Sequence, residues 1–281
     1  MYMRLVGVVI SRELLFPQTF HSGEGAGQPV KLESILQYME GYLDITGYVD
    51  DPRAVNGLQV GGPEDVEHIV GAVDASEASI MEAVARGADL MIVHHGLFWA
   101  GIQPLTGRHL RRVKPLIDNN VALFSCHLPL DSHSEVGNAA VLGRQLGVHL
   151  DGRFGQVGGR EIGWHGHLTE FLEIEGFRAR AAEVLGGSPH VITGGPALIE
   201  RVGVVTGAGT SALEEAVELG LDVFVTGEGP HHTHFDAMEL GIHVLFGGHY
   251  ATETFGVKAL ATHLGERFSL RSEFIDQPTG L

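Results

Sequence analysis

The sequence predicts an α/β protein made of two related lobes with mainly parallel sheets. Short apolar segments alternate with segments of helical periodicity, which is typical of buried parallel strands joined by helices. This alternation occurs twice along the chain, and polar residues follow several of the apolar segments. We expect residues 1–29 to form an N-terminal extension and linker, 30–150 the first lobe, 151–200 a connecting segment and 201–281 the second lobe.

Composition narrows the class of protein. Of the 281 residues, 44% are hydrophobic, which is enough for a core, and 40 are glycines, which favour tight turns between strands and helices. A single cysteine excludes an internal disulfide and is typical of a reducing cytoplasm. With 17 histidines beside that one cysteine, we expect any metal site to use nitrogen and oxygen ligands.

Charge and hydropathy argue against two kinds of partner. The net charge of −17 disfavours nucleic acid, and we expect the basic cluster over 108–114 to be the solvated face of one helix. No segment reaches the length of about 18 apolar residues that a membrane-spanning helix needs. The apolar run over 5–10 is interrupted too early for a signal peptide, so we expect a cytoplasmic protein.

The first lobe opens with a helix, because Leu32, Ile35, Leu36 and Met39 recur at helical spacing. Ser76 is a residue type that favours helix N-caps, and it follows an apolar strand segment. The elements predicted for this lobe are helix 31–44, strand 68–73, helix 77–86, strand 90–93, helix 108–119 and strand 121–126.

The second lobe repeats this order. A strand over 160–168 and a helix over 176–185 precede it, followed by strand 201–206, helix 211–219, strand 221–226, helix 231–240, strand 242–247 and helix 251–264. Residues 82–89 match 215–222 at an offset of 133, and 123–127 match 245–249 at an offset of 122. We infer two related lobes that bring polar residues to the C-terminal ends of their strands, where open α/β sheets bind ligands.

These strand ends carry the residues with the strongest chemical signal. His94 and His95 end an apolar strand, and alone they could be a hydrogen-bonded pair or ligands of one or two metal ions. The repeat adds two further His-x-x-x-carboxylate pairs, although the carboxylates could instead cap helices. Neutral imidazoles and bridging carboxylates suit a hydrolytic metal centre. The candidate ligands are His94, His95, Asp131, His249 and Glu253.

Several motifs resemble the NIF-three-like family, whose members are labelled GTP cyclohydrolase 1 type 2 homologues. They are Asn-Gly-Leu-Gln-Val from Asn56, His-His-Gly-Leu-Phe-Trp from His94, His-Leu-Pro-Leu-Asp from His127 and Gly-His-Tyr-Ala-Thr-Glu ending at Glu253. The resemblance covers about residues 31–276 in the same order. It implies a dinuclear metal centre between the lobes with the five ligands named above, and it implies a homohexamer.

We therefore expect a hydrolase with two divalent ions per chain, in which a metal-bound water is the nucleophile. The ligand types suit zinc, iron, manganese or nickel. His127 matches His249 in the repeat and is the candidate base or proton shuttle, and Glu228, which matches His95, is a second catalytic candidate. The expected substrate is a small molecule, and the family label suggests a nucleotide.

Four residues are candidates for substrate binding. Phe98 and Trp99 could stack on a planar ring, and Asn56 with Gln59 could bind its edges. Packing in the wall of the site is the alternative for all four. A triphosphate would need local cations, and the nearest basic cluster after His94 and His95 lies at 108–114.

Two other functions remain open from the sequence. The first is a non-catalytic metal-binding scaffold or a regulatory protein that binds a partner. The second is a dinucleotide-binding protein, since Gly207-Ala-Gly209-Thr-Ser-Ala212 follows a strand as the fingerprint for such cofactors does. The additional histidines His231, His232 and His234 are expected to be exposed to solvent.

Overall fold

A computed structural model describes residues 28–281, and helices and strands alternate along most of this range. The predicted extension over 1–29 lies almost entirely outside the described residues. The strands are β1 (Val30–Lys31), β2 (Gly57–Val60), β3 (Asp65–Val66), β4 (His68–Asp74), β5 (Leu90–His95), β6 (Ala122–Ser125), β7 (Val148–Val157), β8 (Arg160–Leu172), β9 (His190–Thr193), β10 (Ile199–Val204), β11 (Val223–Thr226), β12 (His243–Phe246) and β13 (Arg271–Phe274). The helices are α1 (Leu32–Tyr42), α2 (Glu77–Ala85), α3 (Gly107–Asp118), α4 (Leu128–Asp131), α5 (Asn138–Gln145), α6 (Ile174–Leu185), α7 (Leu213–Glu218), α8 (Thr233–Leu240) and α9 (His249–Phe268).

Helix α2 shows how the local sequence determines where an element begins. The Ser76 hydroxyl accepts a hydrogen bond from the N–H of Ser79 at 3.0 Å, and the Ser79 hydroxyl accepts one from the N–H of Ser76 at 3.0 Å. This reciprocal cap satisfies N–H groups that the first turn of a helix leaves free. The prediction of Ser76 as the N-cap is confirmed.

The first sheet has five strands in the order β13-β4-β5-β6-β2. Strands β13, β4, β5 and β6 run parallel, and edge strand β2 is antiparallel to β6. Helices α1 and α9 cover one face, while α2 and α3 cover the other. Burial on both faces explains why β5 is continuously apolar from Leu90 to Val93.

The second sheet has six strands in the order β7-β8-β10-β11-β12-β9. Its central strands β10, β11 and β12 are parallel, as predicted, but β8 and β9 pair antiparallel with them. Strands β7 and β8 form a hairpin across Gly158 and Gly159, whose φ values of 59° and 83° suit a two-residue turn. Such a short connection can join only antiparallel strands.

The predicted division of the chain differs from the pairing of the strands in two places. Residues 151–200, expected to connect the lobes, supply β8, β9 and most of β7 to the second sheet. Strand β13, expected in the second lobe, pairs with β4 in the first sheet. Hairpin and edge strands are short or rich in glycine, so they lack the long apolar runs that identify buried parallel strands.

Matching hydrogen bonds support the internal repeat. The Asp89 carboxylate accepts bonds from the N–H groups of Glu67 and His68, at 2.8 and 3.0 Å. The Asp222 carboxylate accepts bonds from the N–H groups of Glu200 and Arg201, at 2.8 and 2.7 Å. All three positions are related by the offset of 133 residues. Equivalent aspartates therefore connect the beginnings of two neighbouring strands in each lobe.

Helices α5 and α9 cross between the lobes and hold them together. Helix α5 follows the first lobe but packs in the core of the second sheet, whereas α9 follows the second lobe and packs on the first sheet. At their contact, the Asn138 side-chain oxygen accepts a bond from the N–H of Gly256 at 2.6 Å. A Cβ at Gly256 would lie 2.8 Å from that oxygen, so the close approach requires glycine.

The basic cluster lies on α3. Two of its charges are paired on the surface, whereas Arg112 is half-buried and its Nε has no hydrogen-bond partner among the described residues. Arg111 donates to Glu77 at 2.9 Å, and Lys114 pairs with Asp118. These contacts agree with the predicted solvated helix face. Among the helices of residues 28–281, none is both long and apolar enough to cross a membrane.

Candidate metal centre

A cleft of about 590 Å³ lies between the two lobes, where the ends of the central strands meet. Strand β5 ends at His95, α4 follows β6, and α9 follows β12, so each ligand candidate is placed by a strand end or by the first turn of a helix. The cleft is lined by three histidines, His95, His127 and His249, and by six carboxylates, Asp50, Asp51, Asp74, Asp131, Glu228 and Glu253. The two lobes therefore place imidazoles and carboxylates in one shared cavity.

His94 lies behind this cleft and is completely buried. Its Nδ1 bonds to the Cys126 carbonyl at 3.0 Å, which fixes the ring. Its Nε2 lies 3.5 Å from Asp131 Oδ2 and 3.6 Å from Glu253 Oε1, too far for direct hydrogen bonds. Two atoms each about 2.1 Å from one metal ion lie about 3.4 Å apart at tetrahedral angles. The observed separations therefore fit ligands of a shared ion.

Glu253 occupies the centre of the cluster. Its Oε1 lies 3.2 Å from His249 Nε2, and its Oε2 lies 3.6 Å from His95 Nε2. Two buried atoms, Glu253 Oε2 and His94 Nε2, have no hydrogen-bond partner within residues 28–281. Leaving a buried charged group unpaired is costly, so this donor set fits a bound cation.

Asp131 is held by two polar side chains that the sequence analysis did not identify. Asn138 donates to Asp131 Oδ1 at 2.9 Å, and the Thr206 hydroxyl lies 3.3 Å from the same oxygen. Oδ2 is left to face His94. Asn138 also bonds to Gly256 of α9, so it couples the position of Asp131 to the helix that carries Glu253.

Each remaining histidine is oriented by a carboxylate. His95 Nδ1 bonds to Asp74 at 3.0 Å, and His249 Nδ1 bonds to Glu228 at 2.7 Å. These contacts leave Nε2 as the ligand atom, the arrangement that orients histidines in many metal sites. Glu228, a predicted catalytic residue, is thereby placed behind His249. Asp74 was not predicted, although it follows β4 as His95 ends β5.

His127 has a similar support in Asp50, another residue that the sequence analysis did not identify. Asp50 Oδ1 accepts from His127 Nδ1 at 2.8 Å, and Asp50 Oδ2 accepts from the Leu128 N–H at 3.0 Å. The His127 ring centre lies 4.9 Å from that of His94 and 5.6 Å from that of His95. One nitrogen of His127 lies within 4.8 Å of nitrogens of both. The loop before β2 carries Asp50 and has no periodic signal.

The carboxylates favour positive charge at the histidines. Burial alone would lower the pKa of His94, but the charges of Asp131 and Glu253 outweigh it and raise that pKa to about 10. The hydrogen bond that His249 donates to Glu253 raises the pKa of His249 to about 9. Burial would raise the pKa of Glu253, but the histidines hold it well below its ordinary value. Protons or metal cations can supply this charge.

The glycine-rich loop after β10 packs directly against Glu253 and His249. Gly207 has φ of 62°, and a Cβ there would lie 2.3 Å from Glu253 Oε1 and 3.3 Å from His249 Nε2. The N–H of Gly207 donates to Thr252, and the N–H of Gly209 donates to Thr226. Since these two N–H groups donate within the protein, neither of them is free to bind the phosphate of a dinucleotide.

The predicted substrate-binding residues separate into two groups. Trp99 lines the cleft, with its ring centre 4.7 Å from that of His127. Asn56, Gln59 and Phe98 lie outside the cleft lining. Asn56 bonds to Asp50 and to the His127 N–H, Gln59 bonds to the backbone of Ala54, Val55 and Leu97, and Phe98 packs in the core against His109. The amide groups of Asn56 and Gln59 support the loops around the site. The predicted exposure of His231, His232 and His234 is confirmed.

The fold and the cleft together define an α/β protein of two repeated lobes, with a buried set of imidazole and carboxylate groups at their junction. The sequence model of the Duf34/NIF3 (NGG1p interacting factor 3) family matches residues 30–279. The chain belongs to this family, as the resemblance predicted.

Individual relatives agree with this assignment. A Deinococcus radiodurans protein named GTP cyclohydrolase 1 type 2 homolog is 39% identical over 260 residues, covering 92% of this chain and 98% of its own. A Halobacterium salinarum protein of the same name is 44% identical over 243 residues, covering 85% and 95%. A Thermus thermophilus protein of solved structure is 40% identical, with a TM-score of 0.81, 90% of this chain covered and 100% of its own.

Proposed function

We propose that this protein is a hydrolase whose centre holds two divalent metal ions. The observation that carries the proposal is the buried contact set around two unpartnered atoms, His94 Nε2 and Glu253 Oε2. Mixed imidazole and carboxylate ligands suit zinc, iron, manganese or nickel. The proposed ligands are His94, His95, Asp131, His249 and Glu253.

The arrangement around Glu253 supports two ions rather than one. Its Oε1 faces His94 and His249, while its Oε2 faces His95. A carboxylate whose two oxygens face different histidines can bridge neighbouring ions. Asp131 adds a second carboxylate on the side of His94.

Divalent ions in such a centre supply Lewis acidity and lower the pKa of water that they bind. The chain's own contribution to proton transfer lies with His127. Asp50 holds His127 Nδ1, which leaves Nε2 as the ring nitrogen that can accept a proton and return it. A general base held by a second group in this way keeps one tautomer and one orientation.

The cleft favours a small neutral ring over a triphosphate. No lysine or arginine of residues 28–281 lines it, whereas six carboxylates do. Arg53 lies over the Trp99 ring at 5.7 Å, but its charge is paired with Asp51. We therefore propose a cyclic amide as the substrate class, stacked on Trp99, with hydrolysis of its C–N bond. The relatives' name makes GTP the necessary comparison.

The test combines metal content with turnover. The full chain, reconstituted with zinc, iron or manganese, is analysed by mass spectrometry beside D131N, E253Q and H127A. The control E266Q removes an exposed carboxylate on the same helix as Glu253. We expect about two ions per chain in the wild type and E266Q, and a loss in D131N and E253Q. H127A should keep its metal but lose turnover of cyclic amides.

The outcomes separate the proposal from its alternative. A chain that binds none of these metals would contradict the metal centre. Two bound ions without hydrolysis of cyclic amides, phosphoesters or GTP would favour the non-catalytic scaffold. The homohexamer implied by the family resemblance and the cytoplasmic location expected from the sequence stay predictions.

A further inference from the structure

A second group of metal-ligating side chains lies on the β7–β8 hairpin, outside the cleft. His149 of β7 and His167 of β8 occupy directly opposite positions in the antiparallel ladder. Their ring centres are 5.0 Å apart, and both side chains are exposed, by 70% and 43%. Opposite residues of such a ladder have neighbouring Cβ atoms, so the backbone holds both rings together.

A β-bulge adds a carboxylate to this pair. The register shifts between Leu150 and Gly152, which makes Asp151 the extra residue of β7. Asp151 Oδ2 lies 2.7 Å from His167 Nδ1, and Asp151 Oδ1 lies 3.4 Å from His149 Nδ1. All three ligand atoms lie within 4.8 Å of one another. The bulge therefore turns one carboxylate toward two imidazoles.

We propose that His149, Asp151 and His167 form a separate mononuclear site for a divalent transition metal of the zinc class. Two imidazoles and one carboxylate are common ligands of zinc, and they suit copper and nickel as well. None of the three residues lines the cleft, so the site shares no ligand with the proposed dinuclear centre. The net charge of −17 attracts cations to the surface.

The exposure of the site determines its character. Three protein ligands leave at least one position of a tetrahedral zinc ion free for water or an external ligand. A carboxylate that bonds to both rings also keeps them oriented without a metal. The proposed site on the hairpin is therefore open to solvent, whereas the ligands around Glu253 are enclosed.

The experiment is a titration with zinc chloride at micromolar concentrations, followed by metal analysis after gel filtration. The full-length wild type is compared with H167N, D151N and the control H232N, which removes an exposed histidine elsewhere. To keep the centres distinct, the same three substitutions are repeated in the D131N/E253Q background. We expect H167N and D151N to bind one zinc ion fewer per chain in both backgrounds, and H232N to bind as its parent does.

Copper(II) provides a second measurement. Electron paramagnetic resonance of the D131N/E253Q protein should show a copper signal with two nitrogen ligands, and H167N should lose one of them. Unchanged zinc stoichiometry in H167N and D151N would overturn the proposal. So would a difference that appears only at millimolar zinc. Because the background lacks two proposed central ligands, failure here would leave the dinuclear proposal intact.

Discussion

The two lobes contribute matching groups to the centre but surround them differently. In the first lobe, Asp50 holds His127 with only 6% of the Asp50 side chain exposed. In the second lobe, Glu228 holds His249, yet 55% of the Glu228 side chain and 32% of His249 are exposed. His127 and His249 are equivalent in the repeat, so two equivalent histidines have one buried and one exposed supporting carboxylate. Asp74, which supports His95 in the first lobe, is 45% exposed.

This difference has electrostatic consequences. A charge pair near water interacts through a high effective dielectric and is screened by salt, whereas a buried pair is screened much less. His94 and His127 of the first-lobe half therefore have a fixed geometry, since His94 is anchored to a buried carbonyl and His127 to the buried Asp50. In the second-lobe half, Glu253 is buried and packs against the Gly207 loop, whereas the pair of His249 and Glu228 opens to solvent. Substitutions in each half test this contrast.

The largest effect is expected at Gly207, the close-packed part of the second-lobe half. G207A would place a Cβ 2.3 Å from Glu253 Oε1 on a backbone with φ of 62°. The carboxylate must move, and we expect G207A to lose bound metal almost completely. Metal analysis by mass spectrometry checks this result.

A matched control isolates the clash from the backbone strain. Gly241 has φ of 76°, but nothing lies within 4 Å of a Cβ there. G241A should therefore lower the free energy of unfolding by about 1 kcal/mol and keep its metal. If G207A binds as much metal as G241A, the Gly207 loop is not a rigid wall of the site.

An intermediate effect is expected at the buried support of the first lobe. D50N removes the charge that accepts bonds from His127 and the Leu128 N–H, and we expect turnover to fall by about 10–100-fold. The free energy of unfolding should fall by about 1–3 kcal/mol, because these buried donors lose a charged partner. The measurements are steady-state kinetics and denaturant unfolding. D236N, at an exposed carboxylate, should match the wild type, and equal unfolding curves for both variants would contradict the prediction.

Much of the fold could be predicted because the repeat is visible in the amino-acid sequence. Helices and strands over 68–126 and 201–264 occur in the expected order, with boundaries that differ by a few residues. Strand β7 was not predicted, since glycine, a bulge at Asp151 and half-exposed positions weaken its alternation. Strand β13 is four residues long, and its place beside β4 depends on the packing of α9.

The residues of the site could likewise be predicted only in part. Residues in repeated motifs do come together: His95 lies in one group of possible ligands with His94 and His127, and in a second group with His249 and Glu253. Asp50 and Thr206 contribute through contacts with residues 77 and 75 positions away, which no local pattern encodes. Asn56 and Gln59 are candidates for substrate binding, and their amides form hydrogen bonds that hold loops in place. Sequence spacing identifies chemical groups, whereas their partners depend on tertiary packing.

The smallest effect is expected at the exposed support of the second lobe. E228Q keeps the size of the side chain and removes the charge that faces His249 at 2.7 Å. An exposed pair contributes at most about 1 kcal/mol, so the metal dissociation constant should rise about fivefold or less. Raising salt from about 0.1 M to about 1 M shortens the screening length from about 10 Å to about 3 Å, and the difference from wild type should shrink. A larger loss that persists in high salt would show that Glu228 acts as a buried support does, and would remove the contrast between the lobes.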